Sequence, residues 1–481
     1  MRGETAPGAR APEDSFRRWL RAHRAAVLGL LLAACGLRLC LIFVAPHPSS
    51  WDGDVRYRNI AANLLAGHGY SFDTAPPYGP TIASSPAYPF FTAAVYAVAG
   101  TRTDAVRVAQ AALDVLTCLL LAYVAFRLAP PGLRGRAAFA ALAVYGFLSW
   151  FTLIWTACLL TETLTLFFTT LTLALCARGL ERGRWGEWAC AGLACGLAIL
   201  ARPDSVLLAA AVLIFLTARL LRRRSRAAAA AVAGFCLATA LTLAPWTLRN
   251  YLVFGIFEPL ASEYGCVAEC FFPTGYLQWV RTWLKDETHF DYAFEPAWPT
   301  GATAFDAAGL PREAYDSEEE RRRVIELIGR YNRDGRITPE LDADFRSLAR
   351  ERVRAAPLRF FVGLPSYRLA SMWLTGFSTH RPTPYVMLLR VFSVLPLHLC
   401  ALAAFALWLR GRPLMWLLLL VVLARSAFFG FHYAPETRYI VEAYPAALAA
   451  CAVTAAAAWG RLGARLRGSK GGGVKSEGAA V

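Results

Sequence analysis

Apolar residues run through most of this chain in long blocks, and the breaks between blocks are short and rich in arginine. Blocks near 25–45, 105–127, 136–154, 159–177, 187–201, 205–221, 227–247, 387–408, 413–430 and 439–459 approach the length that crosses a bilayer as a helix. Together they predict about ten transmembrane helices. Two further stretches fit less well. Residues 88–100 are too short for a comfortable span, so a surface or half-embedded helix is expected there. Residues 357–378 carry Arg359 and Arg368 within an apolar run, which leaves a span and a surface helix equally open. After the first block, Ile60, Ala61, Leu64 and Leu65 recur at helical spacing, with Arg56, Arg58 and Asn59 on the other face. That pattern predicts a short amphipathic helix on the membrane surface, ended by Gly67 and Gly69.

Residues 250–356 are different material. Acidic residues outnumber basic ones, Trp, Pro and Tyr are scattered, and residues 317–331 form a mostly charged helical run. The expected organisation follows from these shifts. Residues 1–24 are a disordered and basic cytoplasmic N-terminus, without a clear cleavage site for a signal peptide. Residues 25–249 form an N-terminal transmembrane module whose first outer loop is 46–103. Residues 250–378 form an extracytoplasmic loop domain, residues 379–460 the C-terminal transmembrane helices, and residues 461–481 a disordered cytoplasmic tail.

Composition sharpens this reading. A hydrophobic content of 57% over 481 residues, with mean hydropathy +0.40, excludes an ordinary soluble protein. The formal charge of +16 raises nucleic acid as a partner. The location of the charge argues against it. Basic clusters at 17–24, 127–136, 178–184, 219–226, 410–412 and 461–467 each border an apolar block, and no basic face interleaved with aromatics appears. Short arginine-rich connections mark the cytoplasmic side. If 357–378 does not cross, all six clusters fall on that side. The protein is then multi-pass in the cell inner (plasma) membrane with both termini cytoplasmic.

Most of the twelve cysteines, among them Cys35, Cys118, Cys158, Cys195, Cys236 and Cys451, lie in apolar runs and read as small hydrophobes. Without CxxC or Cys/His ligand spacing, no structural metal site is expected. Cys266 and Cys270 fall in the extracytoplasmic segment, where a disulfide and two free thiols both stand open. His68, His289, His380 and His432 are scattered, and Trp150, Trp155 and Trp246 suit an interfacial belt.

With this orientation the unusual polar residues collect at the outer mouth. They are Asp52 and Asp54 with Gly53 between them, Glu162, Arg202 and Asp204, Arg249 and Asn250, and Glu436, Arg438 and Tyr439. Ionisable groups near membrane depth are costly and point to function. Each also has a plainer reading: a solvated turn for Asp52-Gly53-Asp54, a helix cap for Glu162, head-group contacts for Arg249 and Arg438. Taken together, carboxylates and arginines suit a substrate with hydroxyls and a phosphate. A carboxylate accepts a hydroxyl proton, and a guanidinium holds phosphate with two parallel bonds. Two carboxylates one residue apart could also ligate a divalent cation, although nothing in the sequence requires one.

The order of these features resembles the GT-C class of integral-membrane glycosyltransferases. Specifically, it resembles the branch related to protein O-mannosyltransferases and the lipid A aminoarabinose transferase (glycosyltransferase family 39-like). The residues that carry it are Asp52-Gly53-Asp54 with Tyr57 and Ile60 to Tyr70, then Ser85-Pro86-Ala87-Tyr88-Pro89 and Leu160-Thr161-Glu162. Gly192 to Ala198 with Arg202-Pro203 follow, then Pro245-Trp246 with Arg249-Asn250-Tyr251, and late Arg438-Tyr439. The resemblance implies a GT-C-like all-α polytopic fold with extracytoplasmic juxtamembrane helices and a small extracytoplasmic domain. It implies a polyprenyl-phosphate sugar donor drawn from the membrane lipid, and an extracytoplasmic acceptor hydroxyl on a protein, glycolipid or polysaccharide. Transfer proceeds with inversion, and an acidic residue of the first outer loop is the general base. By that resemblance Asp54 is the base and Asp52 its close second or a partner orienting the acceptor. Arg438 holds the lipid phosphate, with Arg249 and Arg202 behind it; Glu162 contacts sugar or acceptor, and Tyr57 and Tyr439 belong to the matching pattern. The family's basic residue before the Pro-x-Tyr-Pro-like turn is replaced by Ser84-Ser85, which leaves Arg56 or Arg58 as substitutes. The competing classes are a lipid-linked sugar flippase, which places charges at mid-membrane and shows paired repeats, and a membrane assembly subunit without chemistry.

Overall fold

The structure is a computed structural model that describes residues 15–44, 52–260, 271–294, 296–297, 305–375 and 384–471. No strand occurs among the described residues. A short amphipathic helix, α1 (Ser15–Ala22), leads into α2 (Arg24–Val44). The first loop then builds α3 (Asp52–Leu65) and α4 (Ala87–Ala99), at the two places where the periodicity predicts surface helices. Gly67 and Gly69 stop α3 at φ of 79° and 81°, a region open to glycine at little cost.

Next come α5 (Thr103–Leu128), α6 (Arg134–Ala143), α7 (Trp150–Leu153), α8 (Glu162–Arg182), α9 (Trp185–Ala201), α10 (Val206–Arg223) and α11 (Arg226–Phe254). The charged segment forms α12 (Thr274–Arg281), α13 (Phe290–Phe294), α14 (Glu318–Asp334) and α15 (Pro339–Ala355). The chain closes with α16 (Leu364–Thr375), α17 (Pro384–Trp408), α18 (Pro413–Phe431) and α19 (Tyr444–Gly471).

Eight helices among the described residues are long and apolar enough to cross a membrane. They become nine if the pair Pro131–Leu148 and Trp150–Ala157, bent by 63°, counts as one. The apolar block near 136–154 is therefore not a straight span. A π-helical turn over Val144–Leu148 and Ser149 redirect it. Helix α9 is apolar but shorter, like α4. The segment left open by sequence becomes a π-helical turn (Arg359–Gly363) followed by α16, and it is not among the span-length helices. Arg368 explains its position. Its buried guanidinium donates to the carbonyls of Leu284 (2.9 Å from Nε) and Arg281 (2.7 Å), so the helix is tied to the charged segment.

Two large apolar cores result, beside smaller clusters. The larger is built by α5, α6, α8 to α10 and α17 to α19, and the smaller by α12 to α15 around Tyr276, Trp279, Leu327 and Phe345. Helix α14 starts as its sequence directs: the Ser317 hydroxyl accepts from the Glu320 amide, and three glutamates fill the first turn. Cys266 and Cys270 lie outside the described residues.

Glycines permit a close helix approach. A Cβ on Gly192 would stand 2.3 Å from the Phe235 carbonyl oxygen, and one on Gly196 would stand 2.6 Å from Thr242 Cβ. Both contacts fall between α9 and α11, a four-residue glycine spacing that lets backbones meet. Gly192→Val is expected to destabilise the protein by about 1–3 kcal/mol through overpacking. Thermal unfolding of the detergent-purified variant checks this, and an unchanged midpoint contradicts it.

Candidate functional site

Four separate pieces of chain meet where the two cores adjoin. Glu162 is the first residue of α8; Arg202 occupies the extended residue between α9 and the 3-10 turn Pro203–Ser205; Arg425 projects from α18; Glu442 lies in the 3-10 helix Thr437–Ala443 before α19. Arg202 Nη1 donates to Glu162 Oε1 at 2.7 Å, and its Nε stands 3.3 Å from both Asp204 Oδ2 and Glu442 Oε1. Arg425 Nη2 stands 2.8 Å from Asp204 Oδ2 and 2.5 Å from Glu442 Oε2, while its Nε donates to the Tyr439 carbonyl at 2.5 Å. Arg425, Glu162 and Glu442 are buried to within 3% of complete enclosure. Such charges are tolerated at membrane depth only because each faces an opposite one.

A second group extends this network. Arg438 pairs with Glu436 through Nε, and Glu436 Oε1 accepts from the Tyr439 hydroxyl at 2.6 Å. Two guanidinium groups lie near the Tyr439 ring, Arg202 at 5.2 Å and Arg438 at 5.3 Å from its centroid. Arg438 is the most exposed cation of the set at 27%, against 12% for Arg202 and 3% for Arg425. Arg438 is itself paired with Glu436, through Nε and from Nη2 at 3.2 Å. Arg202 and Arg425 are held between carboxylates.

Four buried oxygens here have no hydrogen-bond partner among the described residues; the two of Glu442 face Arg202 and Arg425 at ion-pair distance, whereas Glu162 Oε2 and Asp204 Oδ1 face no cation at that distance. An unfilled carboxylate oxygen in an enclosed site is costly, and it has room in its chemistry for a hydrogen-bond donor. The small core reaches the same place. Glu287 accepts from both the amide and the hydroxyl of Thr437, and Tyr439 packs against both cores.

The sequence-derived candidates divide into three sets. Glu162, Arg202, Arg438 and Tyr439 are brought together. Tyr57 sits beside them: its ring lies 5.0 Å from that of Tyr88, and it packs on the cluster of Tyr88, Leu164 and Ala201. Leu164 and Ala201 are close in sequence to Glu162 and Arg202, so α3 comes towards the network at Tyr57, in its second turn. The first turn contains Asp52 and Asp54, whose side chains lie outside the described residues.

Arg249 lies elsewhere. Its Nη1 donates to the Thr81 carbonyl at 2.8 Å, and it stacks over Tyr70, Trp246 and Phe254. It braces the first loop against α11 and makes no contact with the ion network among the described residues. Arg56 stacks over Phe72 at 5.9 Å, on the same loop, and Arg58 lies half-buried on α3. His432 packs against Phe428, Tyr433 and Tyr439 as an aromatic body.

Arg425 and Glu442 were not among the sequence candidates. The signal was present: each is a lone charge inside an apolar run, Leu423-Ala424-Arg425 and Ile440-Val441-Glu442.

Residues 83–247 match the family model described as dolichyl-phosphate-mannose-protein mannosyltransferase. No curated protein sequence matches significantly. Among solved structures, the oligosaccharyltransferase of Archaeoglobus fulgidus tethered to an acceptor peptide is 13% identical with a TM-score of 0.53, covering 93% of this chain and 51% of that one. Its apo form gives the same identity and TM-score over 94% and 53% of the two chains. ArnT from Cupriavidus metallidurans bound to undecaprenyl phosphate is 15% identical with a TM-score of 0.37, over 88% and 77%. This chain thus spans about half the length of the archaeal enzyme and shares its fold. The all-helical membrane architecture and the resemblance to GT-C glycosyltransferases read from the sequence both hold.

Proposed function

We propose that this chain is an inverting membrane glycosyltransferase that moves a sugar from a polyprenyl-phosphate donor to an acceptor hydroxyl at the extracytoplasmic face. The observation that carries the reading is the convergence of Glu162, Arg202, Asp204, Arg425, Arg438 and Glu442 beside α3. In the proposed orientation both termini are cytoplasmic in the inner (plasma) membrane. The first loop and residues 250–378 then lie outside and the remaining helices span.

The reaction needs one carboxylate and one cation. Asp54, with Asp52 beside it, takes the proton from the acceptor hydroxyl as its oxygen attacks the anomeric carbon. The bond from that carbon to the phosphate oxygen breaks on the opposite face, and polyprenyl phosphate leaves with the bonding pair. Arg438 stabilises the negative charge that develops there. Glu162 accepts a sugar or acceptor hydroxyl on its unfilled Oε2. Arg202 and Arg425 hold the surrounding carboxylates in place, so the site is organised before substrate arrives. Arg249, Arg56 and Arg58 hold the first loop and its approach to the head groups.

The test uses detergent-purified protein, a panel of polyprenyl-phosphate hexoses and pentoses, and extracytoplasmic membrane fractions as acceptor. Release of polyprenyl phosphate with one donor is expected; folded protein that releases it from none contradicts the reading. Arg438→Gln is expected to lower kcat/KM for that donor about 10- to 100-fold, the value of one charge-assisted hydrogen bond. Measuring the donor dependence of release checks this, and an unchanged ratio removes Arg438 from the phosphate site.

A further inference from the structure

A hollow of about 250 Å3 opens between α12, α15 and the π-helical turn Arg359–Gly363, and none of its lining residues belongs to the ion network. It is lined by Gln278 and Arg281 of α12, by Arg350, Val353 and Arg354 of α15, and by Phe360 of the π-helical turn. Its charge is unbalanced. None of the three arginines has a carboxylate within ion-pair distance among the described residues. Yet their neighbours on α15 do: Arg346 stands 2.8 Å from Asp342, and Arg352 stands 2.6 Å from Glu320. Arg350 and Arg354 lie four residues apart on one helix face, where like charges repel. Arg281 packs on that face from α12, and its Nε is buried without a hydrogen-bond partner. Burial also pulls the Arg281 guanidinium below its ordinary value, since no anion offsets the loss of water. Three convergent cations with an unfilled buried donor are a site for an oxyanion.

The walls and rim say which oxyanion. The Arg281 guanidinium lies over Phe360 at 5.0 Å and over Phe431 at 6.0 Å. Phe431 is the last residue of a span-length helix, so the hollow sits at the height where α18 leaves the apolar layer. Beside it, Leu358, Phe361 and Val362 are 77%, 54% and 56% exposed. A row of exposed apolar side chains next to a cationic hollow at that height fits an amphiphile with a phosphate head and hydrocarbon tails. We propose that this hollow binds the phosphate of an anionic membrane lipid. The lipid fastens the small helical core to the bilayer surface, independently of the chemistry at the ion network.

The test is native mass spectrometry of the full-length detergent-purified protein with dioleoyl-phosphatidylglycerol or dioleoyl-phosphatidylcholine added. One phosphatidylglycerol is expected to stay bound at concentrations where phosphatidylcholine does not. The Arg350→Gln/Arg354→Gln variant, altered at exposed positions, is expected to weaken that retention about 10-fold or more, as loss of charge-assisted bonds does. Should that variant unfold, Arg354→Gln alone gives the same reading with a smaller loss. Equal retention of both lipids by the unaltered protein overturns the proposal, as does unchanged retention by a folded variant. Displacement of the bound lipid by millimolar inorganic phosphate assigns the hollow to a free anion and overturns the lipid reading.

Discussion

Asp54→Asn is expected to lower sugar transfer by about 10²- to 10⁴-fold, the contribution of a positioned general base, while the protein inserts and unfolds as before. The amide has the carboxylate's shape but cannot accept the acceptor's proton. Position 54 lies in the first turn of a helix whose Tyr57 packs beside Leu164 and Ala201. Asp52→Asn is expected to fall short of this loss if Asp52 only orients the acceptor. Single-turnover transfer from the polyprenyl-phosphate sugar, with thermal unfolding as the folding control, separates the two. Normal turnover in both variants removes the first loop from the chemistry.

The largest effect on stability is expected from Arg38→Met, which costs about 3–5 kcal/mol because it strands a buried carboxylate. Arg38 Nε stands 2.6 Å from Asp114 Oδ2, and both side chains are fully enclosed between α2 and α5. The guanidinium also donates to the Ala34 and Gly146 carbonyls at 2.9 and 3.1 Å, and Tyr145 donates to Asp114 Oδ1 at 2.5 Å. This pin joins α2, α5 and the bent segment at once. Arg38→Met with Asp114→Leu is expected to recover most of the loss, since a buried ion pair replaced by apolar groups is often neutral. Detergent unfolding of the single and double variants decides it. A single variant as stable as the parent, or a double variant no better than the single, contradicts the pin.

The fold was legible where a physical pattern repeats. Apolar length gave most span-length helices, glycines gave the end of α3, and Ser317 with its glutamates gave the start of α14. Legibility failed where geometry depends on contacts distant in sequence. The bend at Ser149 leaves no mark in apolar periodicity, because the run is equally hydrophobic on both sides. The fate of residues 357–378 turned on Arg368 finding the carbonyls of Leu284 and Arg281, which no local pattern encodes.

The site divides the same way. Glu162, Arg202 and Arg438 announce themselves at the ends of apolar blocks, and the structure joins them. Arg249 announces itself equally but braces a loop through Thr81. Arg425, Glu442, Arg38 and Asp114 hide inside apolar runs. There a lone charge is the only trace of a partner on another helix.

The central claim is that a first-loop carboxylate faces a lipid phosphate held by late-chain arginine. Cryo-electron microscopy of the purified protein with added polyprenyl phosphate tests it most directly. The account predicts phosphate density against Arg438, with the Asp52–Asp54 turn of α3 facing it across a gap one sugar wide. Phosphate bound away from Arg438, or an Asp52–Asp54 turn directed away from it, contradicts the account.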